Sequence, residues 1–453
     1  MSYLYIRLIF PAPYLMRVLC LILLGWLPAA HLSAQSYTYW AVGDTSDAQT
    51  NTYVGGTVLA GGGGDNDEAM TWMLQRAGGG DVVVIRASNA DGYNDYFYSE
   101  LGVAVHSVET IRFDDASAAT DSFVIRKIRG AEVLFIAGGD QYDYYQYWKD
   151  SPVEDAIHEL ISEKKITIGG TSAGMAILGA AYYAPSGASA QSAQVLADPF
   201  HPSLDVLGNG DFIAHPLLPD LITDTHYAQR DRQGRHMTFM ARLAAASERR
   251  IYGIACNEYT VVCIDTAGLA RVYGEQPDYD DWAFFLKTNC QPVFTPEVLA
   301  AGQPLTWNRG QAAVLAYKVP GTTTGAATFD LRDWTSGSGG TWENWYVDSG
   351  EWYQAPGTGP DCDAAATSIA PGADRWRVQV YPHPLRTYLH IDWDVQAAGR
   401  LDLRIWDSAG RLHYQQERQA PARILDVQDW PAGVYVLELR DESVVFRRKL
   451  LKL

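Results

Sequence analysis

Between Thr57 and Ile264, short apolar runs rich in β-branched residues alternate with longer segments of helical periodicity. The runs are Thr57–Ala60, Asp81–Arg86, Ala131–Ala137 and Ile166–Gly169, and the helical segments are Glu68–Ala77, Ala118–Arg129 and Val153–Lys164. Apolar runs bounded by glycines are typical of strands covered on both faces, and their alternation with helices is typical of a parallel sheet. We therefore expect an α/β domain with a mostly parallel sheet and a site at the carboxyl ends of its strands.

The texture of the sequence changes after Lys318. Segments rich in Gly, Thr, Ser and Pro follow, separated by Trp-bearing stretches such as Thr341–Val347, which favours short strands and loops. The alternating runs Arg377–Val380, Leu389–Trp393, Leu401–Trp406 and Val434–Leu439 then predict a small antiparallel β-sandwich. We expect a first domain over residues 36–318, a β-rich extension and linker over 319–370, and a C-terminal domain over 371–453.

The first 35 residues have the order of features of a secretory signal peptide. Arg17 precedes the apolar run Val18–Leu27, and small residues follow it. The run is shorter than the roughly 20 residues of a membrane span, although a membrane-anchoring helix remains the alternative. We expect residues 1–35 to be a signal peptide that exports the chain to the periplasm and beyond, with no stable membrane span elsewhere.

Composition excludes some partners and cofactors. The formal net charge is −18, from 35 Lys and Arg against 53 Asp and Glu, which argues against nucleic-acid binding because that requires a basic surface. No C-x-x-C pair or His cluster has metal-ligand spacing, and the glycines Gly61–Gly64 lack the lysine of a phosphate loop. The sequence therefore predicts neither a metal nor a nucleotide cofactor.

Four cysteines follow the signal segment: Cys256, Cys263, Cys290 and Cys362. Cys256 and Cys263 flank a predicted tight hairpin. A disulfide between them suits an oxidising compartment, and two buried free thiols fit the spacing equally well.

The strongest local signal is the segment Ile166–Met175, which places G-x-S-x-G between an apolar strand and an apolar helix. That context is the one a nucleophile elbow requires, because the glycines allow a sharp turn that presents the serine at the end of the sheet. We expect Ser172 to be a nucleophile. The alternative is a strand–helix turn of small residues without chemistry.

A base and an acid for this serine stand later in the chain. His226 ends a predicted strand, next to Asp224 and a trio of arginines at 230, 232 and 235 whose guanidiniums suit carboxylate ligands. In the segment Tyr252–Thr260 an apolar strand ends in the acid Glu258, which could orient the histidine. A solvated basic face is the alternative for the arginines.

An oxyanion site is expected at the end of another strand. Leu134–Ala137 runs into Gly138-Gly139-Asp140-Gln141, where the absence of side chains lets backbone N–H groups approach a ligand. We expect the amides of Gly139, Asp140 and Ala173 to hold the oxyanion.

These motifs, in the order Ser–His–Glu, resemble the cyanophycinase and aspartyl-dipeptidase family of serine peptidases over about residues 55–274. The resemblance implies a class I glutamine-amidotransferase-like three-layer α/β/α sandwich without a cofactor, and a Ser172–His226–Glu258 triad. It also implies hydrolysis of aspartyl or β-aspartyl bonds in peptides with aspartyl and arginyl groups. The residues it places at the substrate are Gln141, Asp224, Arg230, Arg232 and Arg235. A monomer and a homodimer both stay open. Tyr227 stands where the family usually has Phe, and Cys256-Asn257 where it more often has a small residue and Asp.

The end of the chain resembles the C-terminal sorting domain of Bacteroidetes type IX secretion. The matching segments are Val380–Pro384, Ile405–Gly410, Gly433–Leu437 and the basic tail Arg447–Leu453, with His383 in place of the usual Asn. The resemblance implies type IX secretion machinery as a partner and delivery to the cell surface or the medium. An ordinary β-sandwich binding module is the alternative.

Two other functions compete with a peptidase. An α/β-hydrolase esterase shares G-x-S-x-G, but that fold orders its triad Ser, acid, His, whereas here the candidate acid follows the histidine. The second is a catalytically silent binding protein on the same scaffold, although the chain keeps every group that the chemistry needs.

Overall fold

A computed structural model describes residues 35–360, 362, 378–381, 385, 387–393, 401–407, 410–419, 424–440 and 445–452. The predicted signal peptide lies outside the described residues apart from Gln35, and so do the predicted boundary near residue 370 and the motif residues Pro382–Pro384. Within the described ranges, no helix is both long and apolar enough to cross a membrane.

The described ranges contain 25 strands and eight α-helices. The strands are β1 (Tyr37–Gly43), β2 (Gly56–Ala60), β3 (Asp81–Arg86), β4 (Ser107–Phe113), β5 (Val133–Ile136), β6 (Thr167–Thr171), β7 (Ala181–Tyr183), β8 (Leu207–Asn209), β9 (Leu221–Asp224), β10 (Tyr252–Cys256), β11 (Val261–Asp265), β12 (Leu269–Tyr273), β13 (Trp282–Thr288), β14 (Val314–Pro320), β15 (Ala327–Asp330), β16 (Gly337–Ser338), β17 (Thr341–Asp348), β18 (Glu351–Pro356), β19 (Val378–Tyr381), β20 (Tyr388–Trp393), β21 (Leu401–Asp407), β22 (Leu412–Gln419), β23 (Ile424–Asp426), β24 (Gly433–Arg440) and β25 (Val445–Lys452). The helices are α1 (Asp67–Gln75), α2 (Tyr93–Asp95), α3 (Ser122–Gly130), α4 (Gln141–Trp148), α5 (Pro152–Glu159), α6 (Ala173–Ala176), α7 (Ser192–Ala197) and α8 (Gln233–Ser247).

The first sheet has ten strands in the order β1-β4-β3-β5-β6-β2-β11-β12-β15-β16. The pairings from β4 through β3, β5 and β6 to β2 are parallel, and the remaining ones are antiparallel. The α/β class is confirmed. The sequence predicts a mostly parallel sheet, and the parallel pairings of this sheet are those among these five strands. A short turn through Gly268 joins the antiparallel strands β11 and β12, whereas β1 pairs with β4 and β2 with β11 across long stretches of chain.

Helices cover both faces of the parallel strands. Along β3, Val82 and Val84 pack in one core with α1, whereas Val83 and Ile85 pack in a second core with α3 and α5. This period-2 division between two apolar faces explains why the strand reads as a continuous apolar run.

The second sheet has eight strands in the order β18-β17-β14-β13-β10-β9-β7-β8. Strand β9 pairs parallel with both β10 and β7. The boundary predicted at residue 318 falls inside β14, which pairs with β13 before it and β17 after it. The predicted extension therefore continues the sheets of the first domain, with β15 and β16 in one sheet and β17 and β18 in the other.

The C-terminal strands form two antiparallel sheets, β19-β20-β23 and β22-β21-β24-β25. Leu389 and Ile391 of the first pack in one core with Leu403 and Leu437 of the second. This is the small antiparallel sandwich that the alternating pattern predicts.

The cysteines separate into two kinds. Cys290 and Cys362 form a disulfide, whereas Cys256 and Cys263 are buried free thiols. The sequence leaves both a disulfide and two free thiols open for Cys256 and Cys263, and the structure has the two free thiols. They do not face each other because β10 belongs to the second sheet and β11 to the first, so the turn between them is not a hairpin.

Candidate active site

The three predicted triad residues come from different strand ends. Ser172 follows β6 of the first sheet, and His226 lies two residues beyond β9 of the second. Glu258 lies in the turn that carries the chain from β10 in the second sheet to β11 in the first. The site therefore forms where the ends of the two sheets approach each other.

The backbone holds Ser172 in a conformation that glycines on both sides make feasible. Ser172 has φ 52° and ψ −114°. A Cβ on Gly174 would lie 2.0 Å from the Ile136 carbonyl oxygen, and one on Gly170 would lie 2.5 Å from the Gly174 carbonyl carbon. A non-glycine residue at positive φ costs about 1–3 kcal/mol and is found most often at functional sites. The Ser172 N–H donates to the Ala60 carbonyl at 3.0 Å, which fixes the turn against β2.

The three side chains form one hydrogen-bonded chain. Ser172 Oγ lies 2.7 Å from His226 Nε2, and His226 Nδ1 lies 2.6 Å from Glu258 Oε1. His226 also has positive φ, at 46°, and its N–H donates to the Gly61 carbonyl at 2.8 Å. This is the nucleophile, base and orienting acid arrangement of a serine hydrolase.

Burial sets the protonation state of the base. Desolvation lowers the pKa of His226 below its ordinary value of 6.5, the hydrogen bond to Glu258 opposes this, and the nearby Arg230 and Arg232 add to the lowering. A neutral imidazole is therefore the main form at neutral pH, and it has a free lone pair for the serine proton.

A glycine loop, Gly61–Gly64, packs directly on the triad. A Cβ on Gly62 would lie 2.5 Å from His226 Cε1, and one on Gly63 would lie 2.7 Å from Glu258 Cβ. The loop thus admits the base and the acid because it has no side chains. The sequence signal for it is a glycine run directly after β2, at the carboxyl end of a parallel strand.

The segments that carry the predicted oxyanion donors approach Ser172. A Cβ on Gly138 would lie 3.5 Å from Ser172 Cβ, so the loop after β5 approaches the nucleophile closely. Asp140 caps α4 by accepting from Tyr142 N at 2.9 Å, and Gln141 is the first residue of that helix. Ala173 is the first residue of α6, where a backbone N–H has no intrahelical acceptor.

The structure separates the three arginines by burial. Arg235 is 3% exposed and donates from Nε to Asp224 Oδ2 at 2.9 Å, from Nη2 to Asp224 Oδ1 at 2.5 Å, and from Nη1 to Ser189 Oγ at 2.7 Å. Arg232 has only 11% of its side chain exposed, lies 3.5 Å from Asp224 and donates to the Thr225 carbonyl at 2.8 Å. Arg230 is exposed. Only Arg230 and part of Arg232 therefore face solvent.

The charges in this cluster stabilise one another. Burial alone would raise the pKa of Asp224, but Arg235 and then Arg232 outweigh it and hold the pKa below the ordinary value. Burial lowers the pKa of Arg232 to about 10, which leaves it charged at neutral pH. Asp224 is therefore an ionised carboxylate enclosed by guanidiniums.

The acids near the triad have side-chain partners, Glu258 with His226 and Asp224 with Arg235. Throughout the ranges that the structure describes, no three His, Cys, Asp or Glu side chains are grouped to hold a metal ion.

Residues 59–270 match the model of Peptidase family S51. This segment, a little under half of the chain, is therefore similar to a peptidase family S51 domain. The chain is 27% identical over 220 residues to a cyanophycinase from Trichormus variabilis, covering 49% of this chain and 66% of that protein. It is 27% identical over 182 residues to a cyanophycinase from Synechococcus elongatus, covering 40% and 50%. The chain thus spans between half and two thirds of the length of these relatives.

A solved structure of a peptidase from an acI-B1 Actinobacterium superposes with a TM-score of 0.38 and 11% identity, covering 62% of this chain and 98% of that one.

Residues 379–452 match the model of a secretion system C-terminal sorting domain. The protein is therefore directed by type IX secretion to the cell surface or the exterior.

Proposed function

We propose that the protein is an exported serine peptidase that hydrolyses aspartyl or β-aspartyl peptide bonds in cyanophycin-like substrates. The observation that carries the proposal is the continuous contact from Ser172 Oγ through His226 to Glu258, at 2.7 and 2.6 Å. The S51 domain and the cyanophycinase relatives support it.

The first half of the reaction forms an acyl-enzyme. Ser172 Oγ attacks the scissile carbonyl carbon while His226 Nε2 takes the hydroxyl proton, and Glu258 stabilises the imidazolium at Nδ1. The C–N bond then breaks, and His226 gives its proton to the leaving amine. In the second half, water attacks the ester with His226 again as base, which releases the acid and restores Ser172.

The negative charge that develops on the carbonyl oxygen needs donors. The backbone amides of Gly139, Asp140 and Ala173 are the proposed donors, because the loop after β5 and the start of α6 flank Ser172. Losing one such donor typically lowers kcat by about 10²–10³-fold.

The arginines have two roles in this proposal. Arg230 and Arg232, with Gln141, bind the free carboxylate of the aspartyl group through charge-assisted hydrogen bonds. Arg235 and Asp224 position that surface, since their side chains are 3% and 2% exposed and bonded to each other.

The proposal is tested with the purified mature chain, cyanophycin and a panel of aspartyl and β-aspartyl dipeptides, with products identified by mass. Arg230→Ala should raise KM for substrates with a free carboxylate by roughly 10-fold or more, since one hydrogen bond to a charged group contributes about 1.5–3 kcal/mol. Arg126→Ala, at an exposed arginine of α3 distant in sequence from the site, is the matched control.

Hydrolysis of neutral esters without cleavage of any aspartyl bond would overturn the proposal in favour of an esterase. No hydrolysis of any substrate would favour a silent binding protein.

A further inference from the structure

Tyr259, directly after Glu258, combines an unfavourable backbone with an exposed ring. It has φ 61°, a region that suits glycine or asparagine and rarely an aromatic residue. Tyr259 is nevertheless 53% exposed, so burial of its ring does not offset the energetic cost of this backbone conformation.

The contacts of Tyr259 place its ring at the site. Its N–H donates to the Gly62 carbonyl at 2.8 Å, and a Cβ on Gly64 would lie 2.3 Å from Tyr259 Cε1. The ring therefore lies against the same glycine loop that touches His226 and Glu258. One part of the ring rests on this loop, and the rest is exposed to solvent. Tyr259 is the residue directly after the proposed catalytic acid, Glu258.

An exposed tyrosine ring that rests on a glycine loop provides a flat apolar surface. Aromatic rings and guanidinium groups bind such a surface by stacking and cation–π attraction. Arg230 supplies a different kind of contact, for carboxylates.

We propose that Tyr259 is a specificity-determining residue whose ring stacks on a flat side chain, aromatic or guanidinium, of a substrate residue next to the scissile bond. This inference rests on the proposed peptidase function. It explains why a residue with unfavourable backbone geometry stands in the turn that carries the catalytic acid.

The test compares wild type with Tyr259→Gly on aspartyl dipeptides whose second residue is Ala, Phe or Arg. In wild type, KM for the Phe and Arg substrates should be lower than for Ala, and in Tyr259→Gly this preference should fall about 10-fold. Tyr259→Trp should retain it. The melting temperature of Tyr259→Gly should not decrease, because glycine accepts positive φ without strain.

Glu248→Gly is the matched control, since Glu248 has φ 55° at the C-terminal end of α8. It relieves the same kind of strain and should leave the substrate preference as in wild type. An equal rise in KM for all three substrates in Tyr259→Gly, or no change in their ratio, would overturn the inference.

Binding of the same dipeptides to Ser172→Ala, measured by calorimetry with and without Tyr259→Gly, separates this inference from the proposed function. If wild type cleaves none of the dipeptides, the peptidase proposal fails, and the calorimetric preference for Phe and Arg alone decides the role of Tyr259. Absence of that preference would overturn the inference.

Discussion

Two polar clusters begin at the end of the same strand and differ in exposure. Asp224, the last residue of β9, pairs with Arg235, and these side chains are 2% and 3% exposed. His226, two residues later, pairs with Glu258, and these side chains are 7% and 27% exposed. The first cluster is sealed, whereas the second opens towards solvent through its acid and its serine.

The difference reflects what each cluster has to do. A buried ion pair keeps its charges fixed, because removing either partner leaves an unpaired charge away from water. In the proposed reaction a proton moves from Ser172 to His226 and back. Both residues have positive φ and lie against the glycine loop at Gly62. The charges of Asp224 and Arg235 therefore stay constant, whereas the charge of the proposed base, His226, changes during the reaction.

The largest expected effect is on the open cluster. Ser172→Ala should lower kcat by at least about 10³-fold while leaving the free energy of unfolding nearly unchanged, because one hydroxyl is lost at a turn. Steady-state kinetics and urea unfolding measure the two quantities. Ser99→Ala, at an exposed serine whose hydroxyl bonds only locally to the Asp95 carbonyl, is the control. Residual turnover near the wild-type rate would contradict the role of Ser172.

The sealed cluster should behave in the opposite way. Asp224→Asn leaves the Arg235 charge buried without its partner, so the free energy of unfolding should fall by about 3–5 kcal/mol. The exposed pair of Arg129 and Glu159, with side chains 48% and 40% exposed, provides the control, and Glu159→Gln should cost less than about 1 kcal/mol. Equal losses in the two variants, measured by urea unfolding, would show that Asp224 and Arg235 are not a sealed pair.

A smaller effect is expected on the pH dependence of activity, because nearby arginines influence the pKa of His226. The pKa of His226 is lowered below its ordinary value of 6.5. Activity should therefore stay constant from neutral pH downwards and fall only when the pH drops through the pKa of His226 and the base is protonated. Arg230→Gln removes a positive charge that disfavours the imidazolium, so it should move this acidic limb to higher pH. The pH profile of kcat measures the shift. A limb above pH 6.5 in wild type, or a downward shift in the variant, would contradict this account.

The smallest effect is expected from removing the C-terminal domain. A chain ending at Gly372 keeps both clusters, both sheets of the first domain and the disulfide of Cys290 with Cys362. Its kcat and KM should equal those of the full chain, and its export beyond the outer membrane should fail in a host with type IX secretion. Lost activity after this truncation would mean that the C-terminal sandwich supports the site.

The sequence predicts local features of this protein well. The strand Asp81–Arg86 has the predicted bounds, because Gly78–Gly80 precede a continuous apolar run that a polar segment follows. Ser172, His226 and Glu258 each follow a strand, and their side chains lie in contact. Their action as a catalytic triad stays a prediction.

Features that depend on distant contacts could not be read from the chain. Arg230, Arg232 and Arg235 are alike in sequence, and only the start of α8 turns Arg235 inward against β9. The sequence predicts a hairpin between Cys256 and Cys263, because nothing local reveals that their strands belong to different sheets. The extension after Lys318 looks like a separate unit, although its strands continue both sheets.

The most direct test of the triad is covalent labelling with a fluorophosphonate, followed by mass spectrometry of the digested protein. The account predicts a single adduct on Ser172, with labelling slowed by orders of magnitude in His226→Ala and parallel loss of peptidase activity. An adduct on another residue, or full hydrolysis by a protein that takes up no label, would contradict the assignment of Ser172 as the nucleophile.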